Sequence, residues 1–230
     1  MKNWEQLGED IALLQYPLSA FGIDFGRNVT LLRLRDGRVI IHSTAPFTPE
    51  DVATIGRFGQ PAWLVDVTLA HDTFAPAARR AFPALPYLAP EGFTKTSGIE
   101  TGLLFPPPPA WDGEIDVIAL DGLWLVREHA FFHRPSRTLV LGDALFQFPP
   151  ETGGWPRFFV QRIMGLPRLV GLSRFFRFMI RDRALFARSL QNLLALDFEQ
   201  IVMAHRMPIL RDAKSVLGRA LRDSGLTASD

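Results

Sequence analysis

Histidine and aspartate side chains recur at the ends of predicted strands in this 230-residue chain. They are His71 and Asp72 after segment 61–67, His133 after 124–132, Asp143 after 138–141, and His205 after 200–204. Imidazole and carboxylate groups are the ligands of zinc, iron and manganese sites. The chemistry that these residue types allow is metal binding and metal-assisted hydrolysis.

Strand ends of this kind meet at one edge of an α/β sheet, where ligands gather. If the strands lie side by side, the five side chains converge on one rim. A single histidine at a strand end is more often a hydrogen-bonded structural residue, and an aspartate after glycine is often a turn or cap residue. His129 shares a strand face with His133 and is expected behind the ligands or as a polar strand residue. No direct role is expected for His42.

The composition excludes several other classes of site. The chain has no cysteine, so disulfides, cysteine-based zinc sites and a cysteine nucleophile are excluded. A net charge of +1 gives no reason to expect a nucleic-acid partner. The first residues do not resemble a signal peptide, and no uncharged apolar run approaches the ~20 residues of a membrane span. A cytoplasmic protein is expected.

The elements that must position these side chains alternate along the chain. Two apolar-alternating runs in 28–43 flank Asp36-Gly37, which predicts a hairpin. A helix is expected from an N-cap at Thr48 to near Gly59. Further predicted strands are 61–67, 85–89, 114–120, 124–132, 138–141 and 198–204, and further helices are 73–82 and one from Pro208 to near Gly225. This order favours an α/β layer arrangement.

Residues 155–196 are predicted to be strongly helical, with a break at 165–167, and they are rich in arginine and phenylalanine. One interpretation is a helical cover for the sheet, with arginine stems over apolar surface. The alternative is a face that binds an anionic membrane or phosphates. If this segment walls the pocket, anionic substrates are expected. We predict a single domain, 1–230, with two α/β halves and a basic helical insert at about 152–197.

Four segments resemble the metallo-β-lactamase superfamily, in particular a branch that lacks the full histidine motif. They are LRLRDGRVIIHSTAPFTPE, LAHDTFAPAARRAFPALPYLAPEGF, FFHRPSRTLVLGDALF and RFMIRDRALFARSLQNLLALDFEQIVMAH. The resemblance covers roughly residues 25–212 and is carried by the order and spacing of the segments. It implies an αβ/βα four-layer sandwich with metal held at the sheet edges.

The resemblance also implies a ligand set. The superfamily motif H-x-H-x-D-H, with its last pair placed on His71-Asp72, puts Val67 and Leu69 at its first two histidines. His133, Asp143 and His205 stand at the later ligand positions, and Arg206 replaces a glycine of the close branch. The implied metal ligands are His71, Asp72, His133, Asp143 and His205, with Asp72 and Asp143 as catalytic carboxylates. One Zn, Fe or Mn ion is expected rather than two, and the alternative is a centre that has lost its metal.

Two functions follow from these observations. The first is a metal-dependent hydrolase of small molecules with a reduced site. The alternative is a non-catalytic protein of the same fold that binds a membrane surface or a partner through its Arg/Phe-rich helices.

Overall fold

The computed structural model describes residues 3–226, in which strands and helices alternate. In chain order, the strands are β1 (Asn3–Gly8), β2 (Ile11–Tyr16), β3 (Ser19–Ala20), β4 (Ile23–Asp24), β5 (Arg27–Arg33), β6 (Arg38–His42), β7 (Gln60–Val65), β8 (Tyr87–Ala89), β9 (Gly102–Leu103), β10 (Ile115–Ala119), β11 (His129–His133), β12 (Thr138–Leu141), β13 (Phe146–Gln147), β14 (Val170–Gly171) and β15 (Gln200–Met203). The α-helices are α1 (Pro49–Phe58), α2 (Ala75–Ala81), α3 (Phe93–Ser97), α4 (Gly154–Phe158), α5 (Arg174–Phe178), α6 (Arg183–Ala195) and α7 (Ala213–Asp223). Single helical turns are 3₁₀ at Leu69–His71 and Pro109–Trp111, and π at Phe159–Ile163.

Two mixed sheets form the centre of the molecule. The first has the strand order β1-β2-β5-β6-β7-β8-β9, antiparallel up to β6 and parallel from β6 to β9. The second has the order β10-β11-β12-β15, in which only β12 and β15 run parallel. Short pairs β3-β4 and β13-β14 lie outside these sheets.

Local sequence signals explain the first βα unit. The β5-β6 hairpin turns at Asp36-Gly37, where Gly37 adopts a φ of 86°, a value that glycine reaches without steric cost. Thr48 and Asp51 form a reciprocal capping box at the start of α1, with Pro49 in its first turn. The predicted hairpin and the predicted helix from Thr48 to near Gly59 are confirmed.

Apolar packing divides the molecule into four layers. One core lies between the two sheets and includes Trp111 and Phe131, both fully buried. A second core packs α1 and α2 against the outer face of the first sheet, and a third packs α6 and α7 against the outer face of the second. The predicted αβ/βα four-layer sandwich is confirmed.

The insert is less helical than the sequence pattern predicts. Residues 155–196 contain α4, α5, α6 and the π turn, but β14 interrupts them and pairs with β13. The π turn packs against β13 through a small apolar core that includes Phe159 of the turn and Phe146 of the strand. The insert therefore forms a lobe beside the second sheet as well as a cover over it.

Two other elements are shorter than predicted. The strand predicted over 124–132 begins only at His129, because Trp124 instead bonds through its backbone to Met179 of the insert. The helix predicted from Pro208 begins at Ala213, because Ile209 pairs with Ile201 beside β15. In both cases pairing with a distant segment replaces the locally preferred structure.

No helix within residues 3–226 combines the length and the apolar character needed to cross a bilayer.

Candidate metal centre

Two parallel strands deliver Asp143 and His205 to the same rim. In the β12-β15 pair Leu141 lies opposite Met203. Asp143 and His205 each follow two residues later, so they leave the sheet side by side at the same edge. Asn28 of β5 fixes this end of β15, since its amide nitrogen lies 2.8 Å from both the Met203 and the Arg206 carbonyl oxygens.

His71 reaches this rim from the first sheet. It ends the 3₁₀ turn after β7, which Thr68 caps with its hydroxyl. The same hydroxyl donates to the Val126 carbonyl at 3.0 Å, and the Leu69 N–H donates to that carbonyl at 2.8 Å. These bonds attach the loop that carries His71 to the segment before β11, and so join the rims of the two sheets.

The three side chains meet at one carboxylate oxygen. Asp143 Oδ1 lies 3.2 Å from His71 Nε2 and 3.2 Å from His205 Nε2. The imidazole rings stand nearly perpendicular, with centroids 5.3 Å apart. One ligand atom from each residue lies within 4.8 Å of the others, a grouping that could hold a metal ion.

The backbone fixes the orientation of His205. Its Nδ1 lies 2.7 Å from the Gly26 carbonyl oxygen, which can only accept, so Nδ1 carries the proton. In the neutral ring Nε2 then presents a lone pair to the Asp143 carboxylate. Two acceptors at 3.2 Å repel unless a proton or a metal ion lies between them. A backbone acceptor behind the imidazole is typical of metal-binding histidines.

Burial and charge set the protonation of the other two groups. Burial, with a smaller contribution from the Arg27 charge, lowers the pKa of His71 to about 4, so its ring is neutral near pH 7. Burial alone would raise the pKa of Asp143, but the positive charge of His71 and His205 when they are protonated, with the hydrogen bonds that they then donate, outweighs burial and holds that pKa well below its usual range. The rim therefore offers one carboxylate and two imidazoles, a donor set that fits zinc, iron or manganese.

Glu128 holds the loop that carries Asp143. Its buried carboxylate accepts the backbone N–H groups of Gly142, Asp143 and Ala144 at 2.9–3.1 Å. Burial, and secondly the Asp143 charge, raise the pKa of Glu128 to about 8, while the three N–H bonds oppose that rise. The position of Asp143 thus depends on a side chain from before β11.

A buried ion pair lies behind the histidines. An Arg27 guanidinium nitrogen lies 3.4 Å from Asp66 Oδ1, and both side chains are almost fully buried. Asp66 also accepts the hydroxyls of Thr44 and Tyr87. Arg27, His71, Asp143 and His205 share the wall of a cavity of about 160 Å³.

A larger cavity of about 460 Å³ is also lined by Asp143 and His205. Aromatic and aliphatic side chains from residues 18–25, from the end of β13 and from the insert line it. The centre therefore lies between a small polar cavity and a large apolar one.

The structure places His133 away from this rim, contrary to the sequence expectation. His133 lies opposite Thr138, at the start of β12, whereas Asp143 follows the end of that strand. Both ring nitrogens have local partners, Nδ1 at 2.7 Å from the Ser136 hydroxyl and Nε2 at 3.2 Å from the Arg33 carbonyl oxygen. The expectation that His133 and Asp143 are neighbours across the hairpin is wrong, because the tight turn at 134–137 joins the other ends of these strands.

Asp72 does not join the three converging residues in the described part of the chain. It is half-buried and ends the 3₁₀ turn just after His71. Val67 lies in the core between the sheets, and Leu69 packs against the core under α1 and α2. The two positions where the superfamily motif has histidines therefore serve packing here.

His42, His129 and Arg206 lie around the centre without joining it. His42 is buried and packs edge-on against Phe131. The His129 backbone N–H donates to the Val67 carbonyl at 2.8 Å. Arg206 adopts a φ of 59°, a conformation that favours glycine, and its guanidinium lies 2.9 Å from Asp24.

Sequence reasoning missed Glu128 and Arg27. The turn at 134–137 pairs His133 with Thr138, and continuing this antiparallel register places Glu128 opposite Asp143. The register of the predicted hairpin therefore contained the signal for Glu128. Arg27 carried no such signal, because its partner Asp66 follows the end of β7, 39 residues away.

No family model and no curated protein matches this sequence. Solved structures do match its fold. A metallo-beta-lactamase from Pontibacter korlensis superposes with a TM-score of 0.66 at 11% identity, over 100% of both chains. One from Erythrobacter litoralis, with beta mercaptoethanol in the active site, gives 0.67 at 15%, over 97% of this chain and 96% of that one. The mono-zinc form of FIM-1 from Pseudomonas aeruginosa gives 0.65 at 12%, over the same shares.

These identities are low, but the superpositions extend over nearly the whole chain. The protein therefore has the metallo-β-lactamase fold, as its resemblance to that superfamily implied.

Proposed function

We propose that this protein is a metal-dependent hydrolase of small molecules whose centre holds one ion through His71 Nε2, Asp143 Oδ1 and His205 Nε2. The observation that carries the proposal is the tautomer of His205. The Gly26 carbonyl holds the proton on Nδ1, so Nε2 of that ring faces a carboxylate oxygen and can bind a proton or a metal ion there. His71 Nε2 reaches the same oxygen, and three converging donors favour the metal ion. The fold supports the proposal, because two neighbours of the same fold are described as mono-zinc forms.

A divalent zinc, iron or manganese ion with an open position supplies a Lewis acid and brings the pKa of water near 7. The protein residues provide its setting. Gly26 orients His205, and Glu128 fixes the loop of Asp143 through three backbone bonds. The apolar cavity beside the centre limits the access of bulk water and strengthens charge interactions there.

A single ion fits these surroundings better than two. Val67 and Leu69 occupy the positions of two motif histidines and are engaged in apolar cores. His133 lies at the other end of its sheet with both ring nitrogens in use. We propose Asp143 as the carboxylate of the centre, and leave Asp72 outside because its side chain lines neither cavity.

Metal analysis combined with hydrolysis assays tests the proposal. Protein loaded with Zn²⁺, Mn²⁺ or Fe²⁺ is expected to bind about one equivalent and to hydrolyse an ester, lactone or phosphodiester. Asp143→Ala is expected to lose both properties. Protein that binds none of these metals, or whose hydrolysis survives in Asp143→Ala, would refute the proposal.

The insert favours a second candidate function, a non-catalytic protein that binds an anionic membrane surface. Residues 152–181 contain six arginines and no acidic residue. Trp155, Phe158, Phe175 and Phe178 on this insert are each more than half exposed. Arg168 is paired with Asp223 at 2.8 Å. Exposed aromatic rings among the other arginines suit the interface of an anionic bilayer.

Flotation with vesicles of anionic lipid discriminates this candidate. A membrane-surface protein is expected to float with anionic vesicles at low salt and to be released at high salt, because the attraction of exposed charges is screened. Phe158→Asp is expected to weaken flotation. Absence of flotation at low salt removes the candidate and leaves the hydrolase proposal unaffected.

A further inference from the structure

The larger cavity is built from apolar side chains around the metal centre. Phe146, Phe159 and Phe176 are nearly fully buried and form its inner wall. Phe21 and Phe175 are 73% and 54% exposed and lie at its mouth. Its volume of about 460 Å³ lies within the roughly 300–1,000 Å³ of small-molecule sites.

The cavity offers no charged partner apart from the metal centre itself. Among the described residues that line it, Asp143 and His205 alone carry ionisable side chains. The Ser173 hydroxyl, also in the wall, already accepts the Phe176 N–H at 3.1 Å. A charged group placed here would lose its hydration without gaining a partner. The arginines of the insert do not line this cavity, which argues against the anionic substrates considered from the sequence.

The aromatic rings of the cavity wall extend from His205 of the metal centre to the cavity mouth. The Phe146 ring lies parallel to the His205 imidazole, at 5° and a centroid distance of 5.7 Å. The Phe21 ring stacks on Phe159 at 5.6 Å, which extends the apolar wall from the inside to the mouth. A molecule in the cavity therefore has its polar end at Asp143 and His205 and its apolar part between phenylalanine rings.

We propose that this cavity receives an uncharged aliphatic or aromatic acyl group, so that the substrates are carboxylic esters with such a group. This inference rests on the proposed function. In the reaction the oxygen of water adds to the acyl carbon, the acyl C–O bond breaks, and a proton from water passes to the leaving alkoxide. The products are a carboxylic acid and an alcohol, and no oxidant or reductant is needed.

A chain-length series on the zinc-loaded protein tests the inference. The probes are p-nitrophenyl acetate, butyrate, hexanoate and octanoate. We expect kcat/KM to rise about three- to fourfold per methylene until the cavity is filled, the equivalent of about 0.8 kcal/mol. The mono-p-nitrophenyl ester of suberic acid places a carboxylate at the end of a chain as long as octanoate, and we expect its kcat/KM to be at least about tenfold lower.

Two substitutions on α5 form a matched pair. Phe175 lines the cavity mouth, whereas Phe178 on the same helix is 76% exposed and does not line the cavity. Phe175→Asp is expected to lower kcat/KM for octanoate about tenfold and to leave that for acetate nearly unchanged. Phe178→Asp is expected to change neither.

Binding of N-phenyl-1-naphthylamine, an uncharged apolar fluorophore, separates this inference from the proposed function. Hydrolysis that is independent of chain length, or a faster suberate ester, would overturn the inference and leave the hydrolase intact. If a lactone or phosphodiester is hydrolysed but no ester is, the inference alone fails. If none of the three is hydrolysed, the hydrolase proposal fails. In that case fluorophore binding weakened by Phe175→Asp and not by Phe178→Asp still supports an apolar occupant, whereas absence of binding overturns it.

Discussion

Three side chains define the candidate chemistry, and each has its state set by a different neighbour. His205 takes its tautomer from the Gly26 carbonyl, and His71 is kept neutral by burial. Asp143 stays ionised because the two imidazoles outweigh the cost of its burial. A cation-binding site results because two imidazole nitrogens and one carboxylate oxygen point at the same small volume.

Matched substitutions of two histidines test which set of ligands is correct. Because His205 directs a free nitrogen at Asp143, His205→Gln is expected to weaken Zn²⁺ binding at least about 100-fold. His133→Gln is expected to leave Zn²⁺ affinity within a few-fold, since both His133 nitrogens have local partners. Competition with a chelating dye near pH 7 measures both affinities. A larger loss in His133→Gln than in His205→Gln would contradict the structure.

His42 is expected to make stability depend on pH. Burial, and secondly the Arg27 charge, lower its pKa from 6.5 to about 3. Between these values the unfolded chain binds a proton that the folded protein does not, so the free energy of unfolding falls as pH falls. The fall is up to about 1.4 kcal/mol per pH unit.

Urea unfolding between pH 7 and pH 4 measures this slope. In His42→Gln, which has no titrating group at this position, the slope is expected to be shallower by about that amount, whatever the overall stability of the variant. Equal slopes in the two proteins would show that His42 is accessible to protons in the folded state.

At the scale of elements, the β11-β12 hairpin decides which polar residues meet. Its turn at 134–137 pairs His133 with Thr138 and carries Glu128 to the other end, beside the loop of Asp143. The parallel β12-β15 pair then brings His205 to the same end. The site is therefore a product of strand direction and register, and a shift in either would separate its members.

Two glycine-to-alanine substitutions compare a loop position where a Cβ would contact Glu128 with a helix position where a Cβ has no neighbour. A Cβ at Gly142 would lie 2.9 Å from the Glu128 carboxyl carbon, so Gly142→Ala forces Glu128 from its place under the Asp143 loop. We expect a loss of about 1–3 kcal/mol in the free energy of unfolding and about 10- to 100-fold weaker Zn²⁺ binding.

Gly56→Ala is the control. Gly56 lies on the exposed face of α1 and a Cβ there meets nothing within 4 Å. This substitution is expected to stabilise the protein by about 0.5–1 kcal/mol, because alanine loses less backbone entropy in a helix. Urea unfolding and Zn²⁺ titration of both variants decide the comparison, and equal metal affinities would remove the role assigned to Glu128.

At the scale of the whole molecule, the core between the sheets joins the two α/β halves. Phe131 of β11 packs edge-on against His42 of β6, and Trp111 bridges Phe131 and Trp63 of β7. Since the rim residues come from both sheets, the centre exists only while this core holds the sheets together.

Phe131→Ala is expected to lower the free energy of unfolding by about 3–5 kcal/mol, because it leaves a cavity among fully buried neighbours. Tryptophan fluorescence and far-UV circular dichroism are expected to report one coincident transition in both proteins. Separate transitions for the two probes would contradict the single domain predicted for residues 1–230. That organisation and the cytoplasmic location stay predictions.

Local propensity and residue type were enough to predict several elements and the kinds of side chain in the site. Alternation around Asp36-Gly37 and the cap at Thr48 are local signals, and both elements form where they were predicted. Resemblance supplied the fold. It also supplied His71, Asp143 and His205, each at a strand end or in the loop that follows one.

Strand pairing and long-range packing set which of the candidates meet. His133 was misplaced because it directly precedes the 134–137 turn, whereas Asp143 lies at the far end of the same hairpin. Arg27 was missed because its partner Asp66 lies 39 residues away, and the cavity has walls from several segments distant in sequence. Convergence depends on strand direction and long-range packing, whereas residue type and local propensity are properties of the sequence alone.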